Sequence, residues 1–185
     1  IFPKKKFKIK TICIGNIYLG GTGKTSLAIE IHNILKKKYK TVFIKKNYLD
    51  QKDEIKLLEN SGKIISTNSR SNSLNIAQKK GFEIAILDDG FQQKNIIYDL
   101  KILCFNSKKG IGNGMVLPSG PLRESFNEIN NCDLIFINGE NKNNKLIDKI
   151  KIINKNLNIF ESNYFPTNLK KINTKRNFLF FCGIG

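Results

Sequence analysis

The 185-residue chain carries 32 lysine and arginine residues against 15 aspartate and glutamate, a formal net charge of +17. That length supports one α/β domain with a real core and excludes two large ones. No apolar run approaches the ~20 residues that a membrane-spanning helix needs and no signal-peptide pattern opens the chain, so it reads as intracellular.

A charge this high raises nucleic acid as a partner, but the cations are spread along the whole chain. Only Arg70, Arg123 and Arg176 are arginine, and no base-stacking motif accompanies them, so no nucleic-acid partner is expected. The exception is the start. Lys4, Lys5, Lys6, Lys8 and Lys10 lie beside Ile1, Phe2 and Phe7, a segment suited either to an anionic membrane surface or to a solvated terminus. The four cysteines, Cys13, Cys104, Cys132 and Cys182, form no Cys-x-x-Cys pair, and three adjoin apolar runs, which fits reduced, packed thiols.

In chain order, residues 9–15 read as a first strand running into Gly15-Asn-Ile-Tyr-Leu-Gly-Gly-Thr-Gly-Lys-Thr25. Strand, glycine turn and helix in this order make a phosphate cradle. Gly20, Gly21, Thr22 and Gly23 turn backbone N–H groups inward, Lys24 neutralises β/γ oxygens, and the Thr25 hydroxyl holds Mg²⁺ at a helix N-terminus. The strict pattern wants a glycine six residues before the lysine, and Tyr18 stands there. The chain is therefore expected to bind a nucleoside triphosphate. The following helix carries Leu27, Ile31, Ile34 and Leu35 as one buried face and closes in Lys36-Lys37-Lys38. His32 within it reads as a packed or surface residue.

Thr41–Ile44 reads as the second strand, Asp53–Glu59 as a short helix, Lys63–Ser66 as a strand and Ser73–Lys80 as a helix. Asp53 is either the acceptor of a hydroxyl proton during transfer or an ordinary helix N-terminal residue. Glu83–Leu87 is apolar enough for a strand buried on both faces. It delivers Asp88 and Asp89 to the C-terminal edge of the sheet, where Asp88 is the expected metal partner of the phosphate loop. Residues 112–124 form a long glycine- and proline-rich loop ending in Arg123 and Glu124. The guanidinium suits bidentate phosphate binding and Glu124 suits the metal, directly or through water; taken alone, the two are a surface pair. Ile102–Phe105, Leu134–Asn138, Leu157–Phe160 and Phe178–Cys182 complete the strands, with a surface helix over Asn141–Asn154. Alternating β and α segments predict a P-loop NTPase-type α/β fold, a mainly parallel sheet with helices on both faces, as a single domain over residues 1–185.

Four blocks occur together: the glycine loop of residues 15–25, Asp-Glu-x-x-Leu-Leu at 53–58, Asp-Asp-Gly-Phe-Gln at 88–92, and Gly-Asn-Gly-x-x-Leu-Pro-x-Gly-Pro-Leu-Arg-Glu at 112–124. In this the chain closely resembles the tetraacyldisaccharide 4'-kinases of lipid A synthesis. The resemblance implies an ATP- and Mg²⁺-dependent phosphotransferase acting on the 4'-hydroxyl of the lipid A disaccharide precursor, peripheral to the cytoplasmic face of the bacterial inner membrane, with no protein partner called for. It implies Lys24, Arg123 and the general base Asp53 as catalytic residues, Gly20 to Thr25 with Gln92 as nucleotide-binding residues, and Thr25, Asp88 and Glu124 at the metal.

The chain departs from the family pattern at Ser26, where proline is usual, and at Gln93-Lys94, where His-Arg is usual. It also has a shortened stretch between Lys46-Asn47-Tyr48 and Asp53. The family's N-terminal membrane helix and C-terminal portion are not matched, which makes a fragment the expectation: a nucleotide-binding core with weak or no kinase turnover. The alternative readings are a P-loop NTPase switch or metallochaperone-type GTPase and an NTP-binding remnant without turnover. Asn138-Gly139-Glu140-Asn141 lacks the lysine and aspartate of the usual guanine-reading segment, which weighs against the GTPase.

Overall fold

The computed structural model describes residues 3–46, 52–140 and 142–163. The expected strand Phe178–Cys182, the residues Ile1, Phe2 and Arg176, and Cys182 lie outside the described residues. In chain order the elements are β1 (Lys5–Lys6), β2 (Lys10–Gly15), α1 (Lys24–Leu35), β3 (Thr41–Lys46), α2 (Lys52–Ser61), β4 (Ile64–Thr67), α3 (Arg70–Lys79) and β5 (Ile84–Asp88). There follow β6 (Ile96–Ile97), β7 (Leu100–Asn106), a 3₁₀ turn (Phe126–Asn131), β8 (Leu134–Asn138), α4 (Asn144–Ile153) and β9 (Asn158–Ser162).

Seven strands form one sheet in the order β4–β3–β5–β2–β7–β8–β9, every neighbouring pair parallel. An all-parallel sheet needs both faces covered, and alternate residues of the central strands divide accordingly. Ile14, Phe43, Ile86 and Cys104 pack with Ala28 and Leu58 on the α1 and α2 face. Cys13, Val42, Ile44 and Leu87 pack with Leu74 and Ala77 of α3 on the other. Toward the far edge, Leu103, Phe105, Ile135 and Ile137 meet Leu146 and Ile150 of α4. Ala85, Ile86 and Leu87 are fully buried, as a strand covered on both faces requires.

The buried stripe of α1 differs from the sequence expectation. Ala28 and His32, four residues apart, face the sheet, while Ile34 is 66% exposed. The small Ala28 lets the helix approach the strands, and the His32 ring is usable because Nδ1 pairs with the Thr41 hydroxyl at 2.8 Å and the ring packs on Phe43. Burial and the neighbouring Lys36 depress the His32 pKa, so it sits as a neutral core residue. The α4 helix starts at Asn144 because the Asn143 side chain caps it, accepting from Leu146 N at 2.9 Å. The α3 helix starts three residues before the expected Ser73, bringing Arg70 into the fold.

The basic start of the chain is folded. Lys5–Lys6 pairs with Ile96–Ile97, and Phe7 and Ile9 are buried in the α3-side core. Lys4, Lys5, Lys6, Lys8 and Lys10 remain exposed, at the N-terminal edge of the sheet. None of the helices of the described residues is long and apolar enough to cross a membrane.

Candidate functional site

The chain leaves β2 for β3 on one side and returns from β5 to β7 on the other, so the C-terminal ends of β2, β5 and β7 flank a topological switch point. The glycine loop starts there. A Cβ on Gly15 would lie 2.3 Å from the Phe91 Cβ, so only glycine lets the loop turn beneath the Asp-Asp-Gly-Phe-Gln segment. Gly20 and Gly23 have φ of 110° and 83°. Gly23 caps α1 with no side-chain hydrogen bond and no acidic residue follows in the first turn, an arrangement that suits an anion at the helix N-terminus.

Asn16, fully buried, braces this loop by donating from Nδ2 to the carbonyls of Tyr18 (2.7 Å) and Gly20 (3.2 Å). Tyr18, which stands where the strict pattern has glycine, bridges to Leu122, and Leu19 N donates to the Pro121 carbonyl at 2.8 Å. That position therefore stitches the phosphate loop to the segment 112–124, for which backbone pairing and a partly buried side chain packed against the core suffice. Arg123 N closes the seam on the Ile17 carbonyl.

Asp88 and Asp89 take different partners. Asp88 is fully buried, with Oδ2 accepting from the Thr25 hydroxyl at 3.2 Å and from Lys45 Nζ at 2.7 Å. Asp88 Oδ1 is buried with no hydrogen-bond partner. An unpaired buried carboxylate oxygen is costly, and beside a threonine hydroxyl at a helix N-terminus it fits a hard divalent cation that takes oxygen ligands. Among the described residues no group of three or more histidine, cysteine, aspartate or glutamate side chains is placed to hold a metal ion by itself, and Thr25 and Asp88 are the residues here that could hold one together with phosphate oxygens and water.

Asp89, with φ of 58°, turns the other way. Its carboxylate meets Arg123 Nη1 at 2.9 Å and Lys24 Nζ at 3.7 Å, while its carbonyl accepts from Arg70 Nη2 at 2.6 Å. Burial works against its charge, and the cations Lys24, Arg123 and Arg70 outweigh burial and hold its carboxyl below the ordinary range. Arg123 also donates to Asn16 Oδ1 at 3.2 Å. Lys24 and Arg123 are thus brought together over one carboxylate at the mouth of the loop.

The remaining expected site residues are placed less directly. Gln92 donates to the Asn16 carbonyl at 2.8 Å, buttressing the strand-to-loop junction. The Thr22 hydroxyl is buried without a partner. One Glu124 oxygen pairs with Lys94 at 3.4 Å and the other is buried and unpaired. Asp53 is exposed in the first turn of α2, and its neighbour Glu54, not Asp53 itself, meets the buried cluster.

Lys45 was not legible as a site residue. It is 1% exposed at the end of β3, one step beyond the Ile44–Leu87 pair, and bridges Asp88 to Glu54 of α2. Burial works against its charge, and attraction and hydrogen bonding from Asp88, then Glu54, prevail, raising its pKa. Arg70 and Asn16 were also missed. The usable signals were that Lys45 ends a strand neighbouring the one that carries Asp88, and that Arg70 is one of three arginines in a chain that otherwise uses lysine.

The family model for tetraacyldisaccharide-1-P 4'-kinase matches residues 1–66 and 51–185. A tetraacyldisaccharide 4'-kinase of Pelagibacter ubique is 50% identical over 190 residues, covering all of this chain and 60% of that protein. One from Rickettsia canadensis is 29% identical over 95% of this chain and 58% of that protein. The chain thus spans about three fifths of the length of these relatives. Among solved structures, the "apo" form LpxK from Aquifex aeolicus in complex with ATP aligns with a TM-score of 0.65 at 20% identity, over 88% of this chain and 73% of that one. Hydrogenase maturation factor HypB from Archaeoglobus fulgidus aligns with a TM-score of 0.57 at 14% identity, over 89% and 83%, and shares the fold. With the family model matched along its length and half of its residues identical to one such relative, the chain belongs to the tetraacyldisaccharide 4'-kinase family.

Proposed function

We propose that this chain forms the nucleotide- and metal-binding core of an ATP-dependent kinase that phosphorylates the 4'-hydroxyl of tetraacyldisaccharide 1-phosphate, at the cytoplasmic face of the inner membrane. The observation that carries this is the convergence of Thr25 on Asp88, and of Lys24 and Arg123 on Asp89, at an uncapped helix N-terminus. Lys24 and the Gly20–Thr25 backbone bind the β and γ phosphates. Thr25 and Asp88 hold Mg²⁺, with Glu124 at its periphery. A bound Mg²⁺ supplies charge neutralisation and fixes the geometry of the triphosphate.

Phosphoryl transfer needs mainly positioning and charge neutralisation. The acceptor oxygen attacks the γ-phosphorus, the bond to the β–γ bridging oxygen breaks, ADP leaves, and Asp53 takes the hydroxyl proton. Arg123 stabilises transferring charge by turning part of its guanidinium from Asp89 to phosphate. Gln92 holds the Asn16 carbonyl and through it the loop.

The test is ³²P transfer from γ-labelled ATP to the tetraacyldisaccharide acceptor in detergent, beside Asp53→Ala and Lys24→Ala. Label in the lipid that both substitutions abolish is the expected result. Lys24-dependent ATP binding without label would reduce the chain to a nucleotide-binding core without turnover, and equal affinity for GTP and ATP would favour an NTPase switch.

A further inference from the structure

Four of the exposed large apolar side chains lie along the rim of the site, and nothing in the phosphate chemistry uses them. Leu19 is 57% exposed, Met115 56%, Val116 40% and Leu117 48%. They are neighbours in space. Leu19 N donates to the Pro121 carbonyl, Val116 bridges to Leu122, Leu117 N donates to the Leu122 carbonyl, and Leu122 N donates to the Met115 carbonyl. The loop that presents them is built to stay in shape. Asn113 Oδ1 accepts from Met115 N at 3.0 Å, its Nδ2 donates to the Ser119 carbonyl at 2.9 Å, and a Cβ on Gly120 would strike that same side chain. Exposed Lys108 and Lys109 flank this rim, and Lys109 Nζ reaches the phosphate loop beside Gly20. A contiguous apolar tip with flanking cations is the surface chemistry of an interfacial membrane contact.

Orientation separates this surface from the basic start of the chain. Lys4, Lys5, Lys6, Lys8 and Lys10 sit where β2 begins, whereas the phosphate loop and the Met115–Leu117 tip sit where it ends, five residues or about 17 Å further along the strand. Phe7 and Ile9, the apolar residues of the described part of that segment, are buried in the core and are not available to a bilayer. An acceptor held in a membrane by acyl chains must enter from the bilayer side, so the membrane contact belongs on the edge that carries the site.

We propose that Leu19, Met115, Val116 and Leu117, flanked by Lys108 and Lys109, form a docking surface for an anionic lipid bilayer that seats the mouth of the site on the membrane. The proposal rests on the kinase reading for the acylated acceptor, while its test needs no turnover.

The test is flotation of the protein with phosphatidylcholine:phosphatidylglycerol (3:1) vesicles, comparing wild type, Met115→Asp/Leu117→Asp and Lys4→Ala/Lys8→Ala. The last pair avoids Lys6 and Lys10, which pair with Asp99. Expected are at least a tenfold loss of bound protein for the aspartate variant and less than a twofold loss for the N-terminal one, with thermal midpoint and ATP affinity unchanged in both. A Met115→Cys variant carrying an environment-sensitive fluorophore should shift to the blue on adding these vesicles. Wild type that does not float, a loss confined to the N-terminal variant, an unshifted fluorophore, or variants that lose binding to acceptor micelles and not to vesicles would each overturn the docking surface. Loss of Lys24-dependent ATP binding would count against the kinase reading instead.

Discussion

Replacing Lys45 by methionine tests whether the buried ion pair at the end of β3 organises the site. Lys45 is 1% exposed and Asp88 fully buried, so the substitution keeps the length of the side chain while leaving the Asp88 carboxylate with only the Thr25 hydroxyl at 3.2 Å. Removing one partner of a buried pair costs about 3–5 kcal/mol, because the other charge stays buried and uncompensated. The lower end applies here, about 3 kcal/mol, since Thr25 still serves one oxygen. Glu54 is half exposed and rehydrates when freed, so Glu54→Gln should cost less than ~1 kcal/mol. With a urea dependence of about 2 kcal/mol per molar, Lys45→Met lowers the midpoint by roughly 1.5 M in urea unfolding followed by circular dichroism. Adding Mg²⁺ with a non-hydrolysable ATP analogue should narrow the gap, as the divalent cation takes over the counter-charge at Asp88. A midpoint drop under roughly 0.5 M, or an equal drop for Glu54→Gln, would refute the assignment of Lys45 as the principal counter-ion.

Three further outcomes follow from the same geometry. Asp99 is exposed, and against the penalty of its slight burial the hydrogen bonds from Lys6 and Thr11 lower its pKa from 3.8 to about 2. A depressed carboxyl adds stability that is present above 3.8 and lost as pH falls toward 2. Because solvent screens this exposed pair, Asp99→Asn should cost only about 1 kcal/mol at pH 6, shrinking below pH 3.8, and a pH-independent difference would contradict this. Gly15→Ala places a methyl 2.3 Å from the Phe91 Cβ and should destabilise the fold by at least ~1–3 kcal/mol and weaken ATP binding; a variant with unaltered melting and affinity would show that the loop seat is not rigid. Burial pushes the thiols of Cys13 and Cys132 up to about 12 and raises that of Cys104 as well, so no more than one of the four cysteines should react with a thiol reagent before unfolding.

Much of the fold and part of the site were legible in local sequence. Glycines at 20, 21 and 23 before Lys24-Thr25 describe a loop whose chemistry is contained in eleven consecutive residues, and Ala85-Ile86-Leu87 describes a strand covered on both faces. Such features depend on near neighbours and on the period of the chain. Strand order, the separate partners of Asp88 and Asp89, and the role of Lys45 were not legible, because they depend on which strands lie side by side. In a chain with so many lysines, one more at the end of a strand carries no mark until β3 is placed against β5 and the ammonium meets Asp88. The buried face of α1 was misjudged for a related reason: His32 counts as polar in a periodicity argument, and only its pairing with Thr41 across the helix–strand contact makes it a core residue.

The sequence by itself determined the family, the α/β alternation and the phosphate loop, since these rest on contiguous motifs and backbone preferences. Only the tertiary structure decided that the basic start of the chain and the phosphate loop lie at opposite ends of β2 and that Asp89 is clasped by Lys24 and Arg123. It likewise decided that a buried lysine ties Glu54 of α2 to Asp88 at the end of β5. Charges separated by tens of residues acquire their energies from distance and burial, and both are properties of the packed sheet.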